Sequence, residues 1–503
     1  AAARYLLRLQ ANKGDTYAEF PALIRGVREF LAYAPEYEAV ASAIMNGFIN
    51  DGLEGCVVDK CGTKYSVYLK SLYWNEVNTT NAIRRLMRTA RPVDCNPEEL
   101  CAYAEKICGV KYAEQQREAF QLLKTGGVGI ITGGPGTGKT TVIKGLLAAY
   151  QKMFPDRVIK LCAPTGRASQ RMKEATGREA TTIHRLLEYK PFENTATYKN
   201  GANPIDADFL FVDEGSMISI DVADLLFSAI RSGTTVLIAG DIDQLPSVGT
   251  GNVLNDLIES GVIPVIALKK THRQAEGSVI IDNAKKIREG YSNLSACDDF
   301  EIFVRDDDEI PDVIEEQFLK YYKTEDVFSA QVLVPARKRQ GTGAKDINKR
   351  LQAIINTSSK GLTYSDTTFK TGDKVMLMRN NYTAEDAYFN GDVGVVLSTD
   401  ETGLDLLIDG QKIRIDESQL NDVSLAYATT IHKSQGSEYD VAICVMPSEP
   451  SIMLQRNLLY TAITRAKKKV ILIAAPNAID RAVFTRDSVK RQSLLVDRLQ
   501  GKK

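Results

Sequence analysis

Eight consecutive residues constrain this chain more than any others: Gly133-Gly134-Pro135-Gly136-Thr137-Gly138-Lys139-Thr140 fits G-x-x-x-x-G-K-[ST]. The match sits in the context its chemistry requires. An apolar run, Val128–Thr132, delivers the chain as a strand, and a helix is expected to begin near Lys139. Glycines let backbone N–H groups wrap around phosphate oxygens, and the helix aims its positive end at the same anion. Lys139 is expected to reach the β- and γ-phosphates, and the Thr140 hydroxyl to bind Mg²⁺. Gly134, Pro135, Gly136, Thr137, Gly138 and Thr141 complete the expected nucleotide cradle.

A strand feeding a helix through such a loop belongs to a parallel sheet, and the surrounding grammar agrees. Short apolar runs at Val158–Cys162, Phe209–Val212 and Val236–Ala239 each precede a helical pattern. A second set follows at Val332–Pro335, Leu425–Thr429, Val441–Val445 and Val470–Ile473. Between them, residues 368–424 switch to short alternating strands with Gly372-Asp373, Gly391-Asp392 and Asp409-Gly410 turns, the pattern of a small β-barrel insertion. Segments 21–32 and 38–50, an alternating Lys64–Leu69 and an amphipathic run through Val77, Ile83 and Met87 form a separate N-terminal α/β module. Arg91-Pro92 and Asn96-Pro97 break that pattern. The expected division is therefore 1–97, 98–264 and 265–503.

A phosphate cradle alone hydrolyses nothing. Asp213-Glu214 follows the Phe209–Val212 run, where Asp213 would hold the Mg²⁺ shell and Glu214 would orient and deprotonate a water. Gln244, in Gly240-Asp241-Ile242-Asp243-Gln244-Leu245-Pro246, is placed to sense the γ-phosphate or that water; a plain turn is the competing reading.

Composition removes other chemistries. The 503 residues carry 63 basic and 64 acidic side chains, so a globally basic coat is excluded, although the tail after Thr464 is rich in Lys and Arg. The three histidines, His184, His272 and His432, lie too far apart for H-E-x-x-H or zinc-finger spacing. Cys56, Cys61, Cys95, Cys101 and Cys108 cluster without a C-x-x-C knuckle, leaving buried thiols or a metal site as readings. No apolar run approaches a membrane span, so a cytoplasmic protein without membrane contact is expected.

The ordered motifs resemble those of superfamily 1 helicases, specifically the RecD-like group, over roughly residues 98–475. Tyr112 to Ala119 resembles the Q motif, with Gln116 at the adenine-reading position. Ala163-Pro164-Thr165-Gly166-Arg167-Ala168 and Thr182-Ile183-His184-Arg185-Leu186-Leu187 resemble single-strand contacts of the first core. Thr271-His272-Arg273-Gln274 and Asn457 to Ala466 resemble the segments whose arginines, here Arg273 and Arg465, reach the γ-phosphate. The most specific stretch runs from Ala428 to Glu438 and contains His432 and Ser434. Gly215, His272 and Ala113 depart from the usual pattern without removing a charged catalytic group.

The resemblance implies an α/β fold of two RecA-like parallel-sheet motor cores of the P-loop NTPase type, with an SH3-like barrel insertion. It implies ATP and Mg²⁺ as ligands, and catalytic roles for Lys139, Glu214, Gln244, Arg273 and Arg465. Pro164, Thr165, Gly166, Arg167, His184, His432 and Ser434 would contact single-stranded DNA, although a helix cap or loop hydrogen bond is an equal reading for each alone. Residues 189–204, with Phe192, Tyr198 and Asn200-Gly201, read as a strand-separating hairpin pin or as a surface loop. The barrel's Lys374, Arg379, Tyr382 and Tyr388 would grip a strand or form a solvated rim. The implied function is ATP-dependent unwinding or translocation, 5′→3′, on single strands and single/double-strand junctions, with repair or recombination proteins as partners. The alternatives are a motor subunit of a multi-chain exonuclease complex and a DNA clamp without unwinding activity.

Overall fold

The computed structural model describes residues 2–31, 47, 54–61, 64–189, 198–269, 278–381, 388, 390–485 and 491–502. Two parallel sheets carry the architecture. In the first core the strand order is Ala180–Thr182, Ile159–Ala163, Phe209–Val212, Thr235–Gly240, Val128–Gly133, Val265–Leu268, every neighbouring pair parallel. Phe209–Val212 and Thr235–Gly240 are buried along their whole length, as continuous apolar runs covered on both faces should be. Burying each large side chain there contributes roughly 1.5–3 kcal/mol.

The expected boundary at residue 264 falls one strand too early. Val265–Leu268 is the edge strand of the first sheet, paired in register with Ile130–Gly133. Its burial is only partial, and a short edge strand carries no sequence signal for the sheet it joins.

The second core orders Phe300–Val304, Ala466–Ala474, Tyr439–Met446, Ala330–Val334 and Ala428–Thr430, again all parallel. The insertion is a five-stranded antiparallel sheet of Gln411–Asp416, Gly403–Ile408, Val393–Asp400, Lys374–Leu377 and Val423–Leu425. Asp409 (φ 48°) and Gly410 (φ 79°) are both left-handed, the turn chemistry that tightens the hairpin between its first two strands. The run expected as one strand at Leu425–Thr429 is divided. Val423–Leu425 closes the barrel sheet, and Ala428–Thr430 enters the core sheet beside Ala330–Val334. Tyr427 anchors the crossing by donating its hydroxyl to Asp373 at 3.0 Å.

The N-terminal module is less separate than its pattern suggests. A three-stranded sheet (Tyr17–Glu19, Lys64–Leu69, Cys56–Cys61) precedes the helix Lys70–Arg88. Leu72, Ile83 and Leu86 of that helix share one core with Ile220, Leu226 and Leu254 of the first parallel-sheet unit. Residues 38–50 lie outside the described residues apart from Gly47. Asn96-Pro97, read as a break, begins a helix, Pro97–Cys108: Asn96 Oδ1 accepts from Glu98 N at 3.0 Å, and Pro97 occupies the first turn, where no amide partner is needed.

The C-terminal segment also departs from expectation. Leu494, Leu495 and Leu499 bury against the first core and the N-terminal module, not the second core. Half of the expected pin, 190–197, lies outside the described residues. Its base is an Asx turn, in which Asn200 Oδ1 accepts from Ala202 N and Asn203 N at 2.8 and 3.0 Å. Among the described residues no helix is long and apolar enough to cross a membrane, and no group of three His, Cys, Asp or Glu is arranged to hold a metal.

Candidate nucleotide site and DNA-contacting surface

The loop after Val128–Gly133 turns through Gly136 (φ 72°) and Gly138 (φ 80°), left-handed positions that favour glycine, before the helix Lys139–Met153 begins. Gln116 braces it from below: Nε2 donates to Thr137 O at 3.0 Å, and Oε1 accepts from Ala113 N at 3.0 Å. Both ends of the Gln116 amide are thus engaged within the first core. A Cβ at Gly138 would run into that amide. Lys139 Nζ donates to Gly133 O at 2.5 Å and Gly134 O at 3.0 Å, while Thr140 is exposed to the cleft.

The strand Phe209–Val212 carries Asp213 and Glu214 to the same cleft. Loss of hydration, and then the charge of Glu214, push the half-buried Asp213 carboxyl up to about 6. Among the described residues no ion pair contacts it, so a divalent cation shared with Thr140 would supply missing charge; the donor set fits Mg²⁺. Glu214 itself has φ 51° and ψ 44°, and its N–H donates to Asp213 Oδ1 at 2.9 Å. A left-handed non-glycine residue costs roughly 1–3 kcal/mol, strain of the kind that collects at functional sites.

Opposite these groups stands the second core. A cleft of about 830 Å³ is lined by Lys139, Thr140, Asp213, Glu214 and Gln244 on one side and by Arg465 on the other. Arg465 is buried and donates to Thr461 O at 3.2 Å and Ser437 O at 3.3 Å. Gln244 donates to Asp241 Oδ2 at 3.3 Å, and its buried Oε1 has no hydrogen-bond partner. Residues 270–277, with His272 and Arg273, lie outside the described residues.

Several residues that tie the cores together carry no sequence signal for that role. Tyr460 donates its hydroxyl to Asp241 Oδ2 at 2.9 Å. Leu245 is held on both backbone groups: its N–H donates to Thr461 Oγ1 at 2.9 Å, and its C=O accepts from Gln435 Nε2 at 2.8 Å. Arg171 pairs with Glu438 at 2.8 Å across the cleft. All but Arg171 lie inside recognised motifs, yet nothing in the spacing says that they meet.

The expected DNA contacts divide. Ser434 is fully buried, and its hydroxyl donates to Ile431 O at 2.8 Å, which corrects its placement as a hydroxyl contact. Thr165 Oγ1 caps the helix Gly166–Thr176 by accepting from Ala168 N at 3.3 Å. The Arg167 guanidinium lies 4.0 Å over the Phe328 ring of the second core, with buried Nε and Nη2 that have no hydrogen-bond partner. Pro164 and Gly166 are partly exposed, as are His184 and His432, whose imidazoles burial holds below their usual range. In the barrel, Lys374 is fully buried, so it forms no solvated rim; Tyr388 is buried too, Arg379 pairs with Asp422 at 3.2 Å, and Tyr382 lies outside the described residues.

Comparison with known proteins finds family matches in both cores and in the barrel insertion. Residues 116–250 match the AAA domain, 347–409 the ATP-dependent RecD-like DNA helicase SH3 domain, and 425–473 the UvrD-like helicase C-terminal domain. The chain is 30% identical over 507 residues to the ATP-dependent RecD2 DNA helicase of Deinococcus radiodurans, covering 100% of this chain and 68% of that one. It is 34% identical over 432 residues to the RecBCD enzyme subunit RecD of Mycobacterium tuberculosis, covering 77% and 73%. A solved structure of two coordinating Pif1 helicases at forked double-stranded DNA superimposes with a TM-score of 0.47 and 19% identity, over 72% of this chain and 92% of that one. The chain belongs to the RecD-like family of superfamily 1 and is an ATP-dependent DNA helicase.

Proposed function

We propose that ATP binds in the cleft between the two cores, and that its hydrolysis moves the cores relative to each other along single-stranded DNA in the 5′→3′ direction. The observation that carries this reading is the convergence of Lys139, Asp213, Glu214 and Gln244 from one core on Arg465 from the other. Lys139, released from the Gly133 and Gly134 carbonyls, neutralises the β/γ-phosphates. Asp213 and the Thr140 hydroxyl would hold Mg²⁺, which when bound would supply charge neutralisation at the phosphates. Glu214 takes the proton of the attacking water, and Gln244 orients that water with its unpartnered Oε1. Arg465 and Arg273 stabilise charge on the transferring phosphoryl group; arginines in that role contribute about 10³–10⁵ in rate. Gln116, engaged with Ala113 and Thr137, acts mainly by holding the loop.

The partly exposed Pro164, Gly166, Arg167, His184 and His432 form the sequence-independent DNA track. We assign to this track single/double-strand junctions as substrate, repair or recombination proteins as partners, and a cytoplasmic location. A strand-displacement assay with 5′- and 3′-overhang duplexes tests the reading: unwinding only from the 5′ overhang is expected, and unwinding only from the 3′ overhang refutes the polarity. Lys139→Ala should abolish ATP turnover while leaving the fold intact; unchanged turnover refutes the phosphate-site assignment. The similarity to a RecBCD subunit favours a second reading, a motor serving a separate nuclease chain. Robust unwinding by the isolated chain would count against it.

A further inference from the structure

The loop that carries Gln244 continues through Pro246-Ser247-Val248-Gly249-Thr250-Gly251, and three of its carbonyls converge on one guanidinium. Arg491 Nη2 donates to Ser247 O at 2.8 Å. Its Nη1 donates to Gly249 O at 2.8 Å, Gly251 O at 2.7 Å and Ser247 Oγ at 3.2 Å. A fork of fixed geometry that satisfies three carbonyls at once defines the loop's path far more tightly than any one hydrogen bond does. The other end of the loop is held by the second core, through Leu245.

Arg491 is itself positioned by the opposite end of the chain. Gln492 N donates to Asp15 Oδ1 at 2.8 Å, and Gln492 O accepts from Thr16 N at 2.8 Å. Gly251 N donates to Gly14 O at 2.8 Å. Gly14 has φ +97°, and a Cβ there would run into the Arg491 guanidinium, so the turn fits only with glycine. Three sequence-remote segments, 14–16, 247–251 and 491–492, therefore meet on the loop that follows Gln244 in the chain.

We infer that Arg491 is a positioning residue for ATP hydrolysis, which fixes the 244–251 loop so that Gln244 is presented to the cleft and which ties that presentation to the N-terminal module. The inference rests on the role proposed above for Gln244. Arg491 does not line the nucleotide cleft, so its effect falls on turnover rather than on nucleotide affinity.

The test measures ATP turnover by the full chain with saturating oligo-dT in R491A, R491K, Q244A and the R491A/Q244A double variant. R491A is expected to lower kcat about tenfold, with KM for ATP within about twofold of the parent. R491K keeps the charge but loses the fork and should fall between the two. If Arg491 acts through Gln244, the double variant should be no slower than Q244A alone. A kcat for R491A within about twofold of the parent, or losses that multiply in the double variant, overturns the inference. Where R491A does not fold, the R491K/Q244A cycle is read by the same rule. Unchanged kcat in Q244A would instead sink the Gln244 assignment, so the two failures are distinguishable.

Discussion

Replacing Tyr460 by Phe removes one oxygen from the contact between the cores and leaves the ring where it packs, inside the second-core cluster. Tyr460 and Asp241 are 3% and 1% exposed, and the hydroxyl donates to Oδ2 at 2.9 Å. Burial, then the charge of Asp241, raise the phenol well above its usual 10, so it remains a donor at any working pH. A buried hydrogen bond to a charged acceptor is worth about 1.5–3 kcal/mol. Asp241 retains the Asp243 N–H at 3.1 Å and Gln244 Nε2 at 3.3 Å, which places the loss at the lower end. That corresponds to roughly a tenfold drop in the equilibrium constant for joining the cores. The two ties through Leu245 are neutral and worth about 0.5–1.5 kcal/mol each. The Arg171–Glu438 pair, with side chains 37% and 20% exposed, adds less still. Tyr460→Phe should therefore lower DNA-stimulated kcat/KM for ATP about tenfold, more than Thr461→Val does, with little change in melting temperature. Steady-state ATPase kinetics with saturating oligo-dT measures it. A kcat/KM within about twofold of the parent would show that this contact does not limit the joining of the cores.

Glu214→Gln should keep nucleotide and DNA binding, by fluorescence anisotropy, while turnover falls about 10²–10⁴-fold, the usual range for loss of a general base; a smaller loss would assign the water's proton elsewhere. Lys374 supplies a pH dependence of stability. Burial, and then the charge of Arg167, lower its ammonium from 10.5 to about 7. Between those values the unfolded chain holds the proton more tightly, so stability rises with pH from about 7 to 10.5 and the penalty is complete below 7. The gap corresponds to something on the order of 5 kcal/mol. Thermal melts from pH 6.5 to 9.5 should show this slope in the parent and a flatter one in Lys374→Met; parallel curves would place the Lys374 ammonium in water.

What could be read from the sequence was local. Strand, loop and helix around Lys139 follow one another without interruption, and Phe209–Val212 is bounded by its own apolar run, so both emerge with nearly their true limits. Sheet membership is not local. The Val265–Leu268 strand finds its partner more than a hundred residues earlier, and nothing in its four residues names the neighbour. The Leu425–Thr429 run is buried throughout because both of the sheets it serves are buried, so periodicity does not show where it changes sheet. Hydroxyls in the DNA motifs raise a different difficulty. Ser and Thr satisfy nearby backbone groups as readily as they meet a ligand, and Thr165 and Ser434 do the former.

The basic tail shows how far charge counting can mislead. Lys and Arg crowd the sequence after Thr464, which in a DNA-binding chain reads naturally as a phosphate-facing surface. Yet the most strongly held of these side chains face inward. Arg491 is engaged by loop carbonyls, and Arg465 by the Thr461 and Ser437 carbonyls. Arg498 pairs with Asp59 and with Glu76, a fully buried carboxylate that also accepts from Thr16, Tyr68, Ser493 and Leu494 N. Removing one partner from such a buried cluster leaves an uncompensated charge, so its cations are bound to the fold and not available to a polyanion. The same guanidinium that adds to a count of positive charge can therefore be what fixes a loop beside the nucleotide cleft, and only the carbonyls converging on it distinguish the two uses.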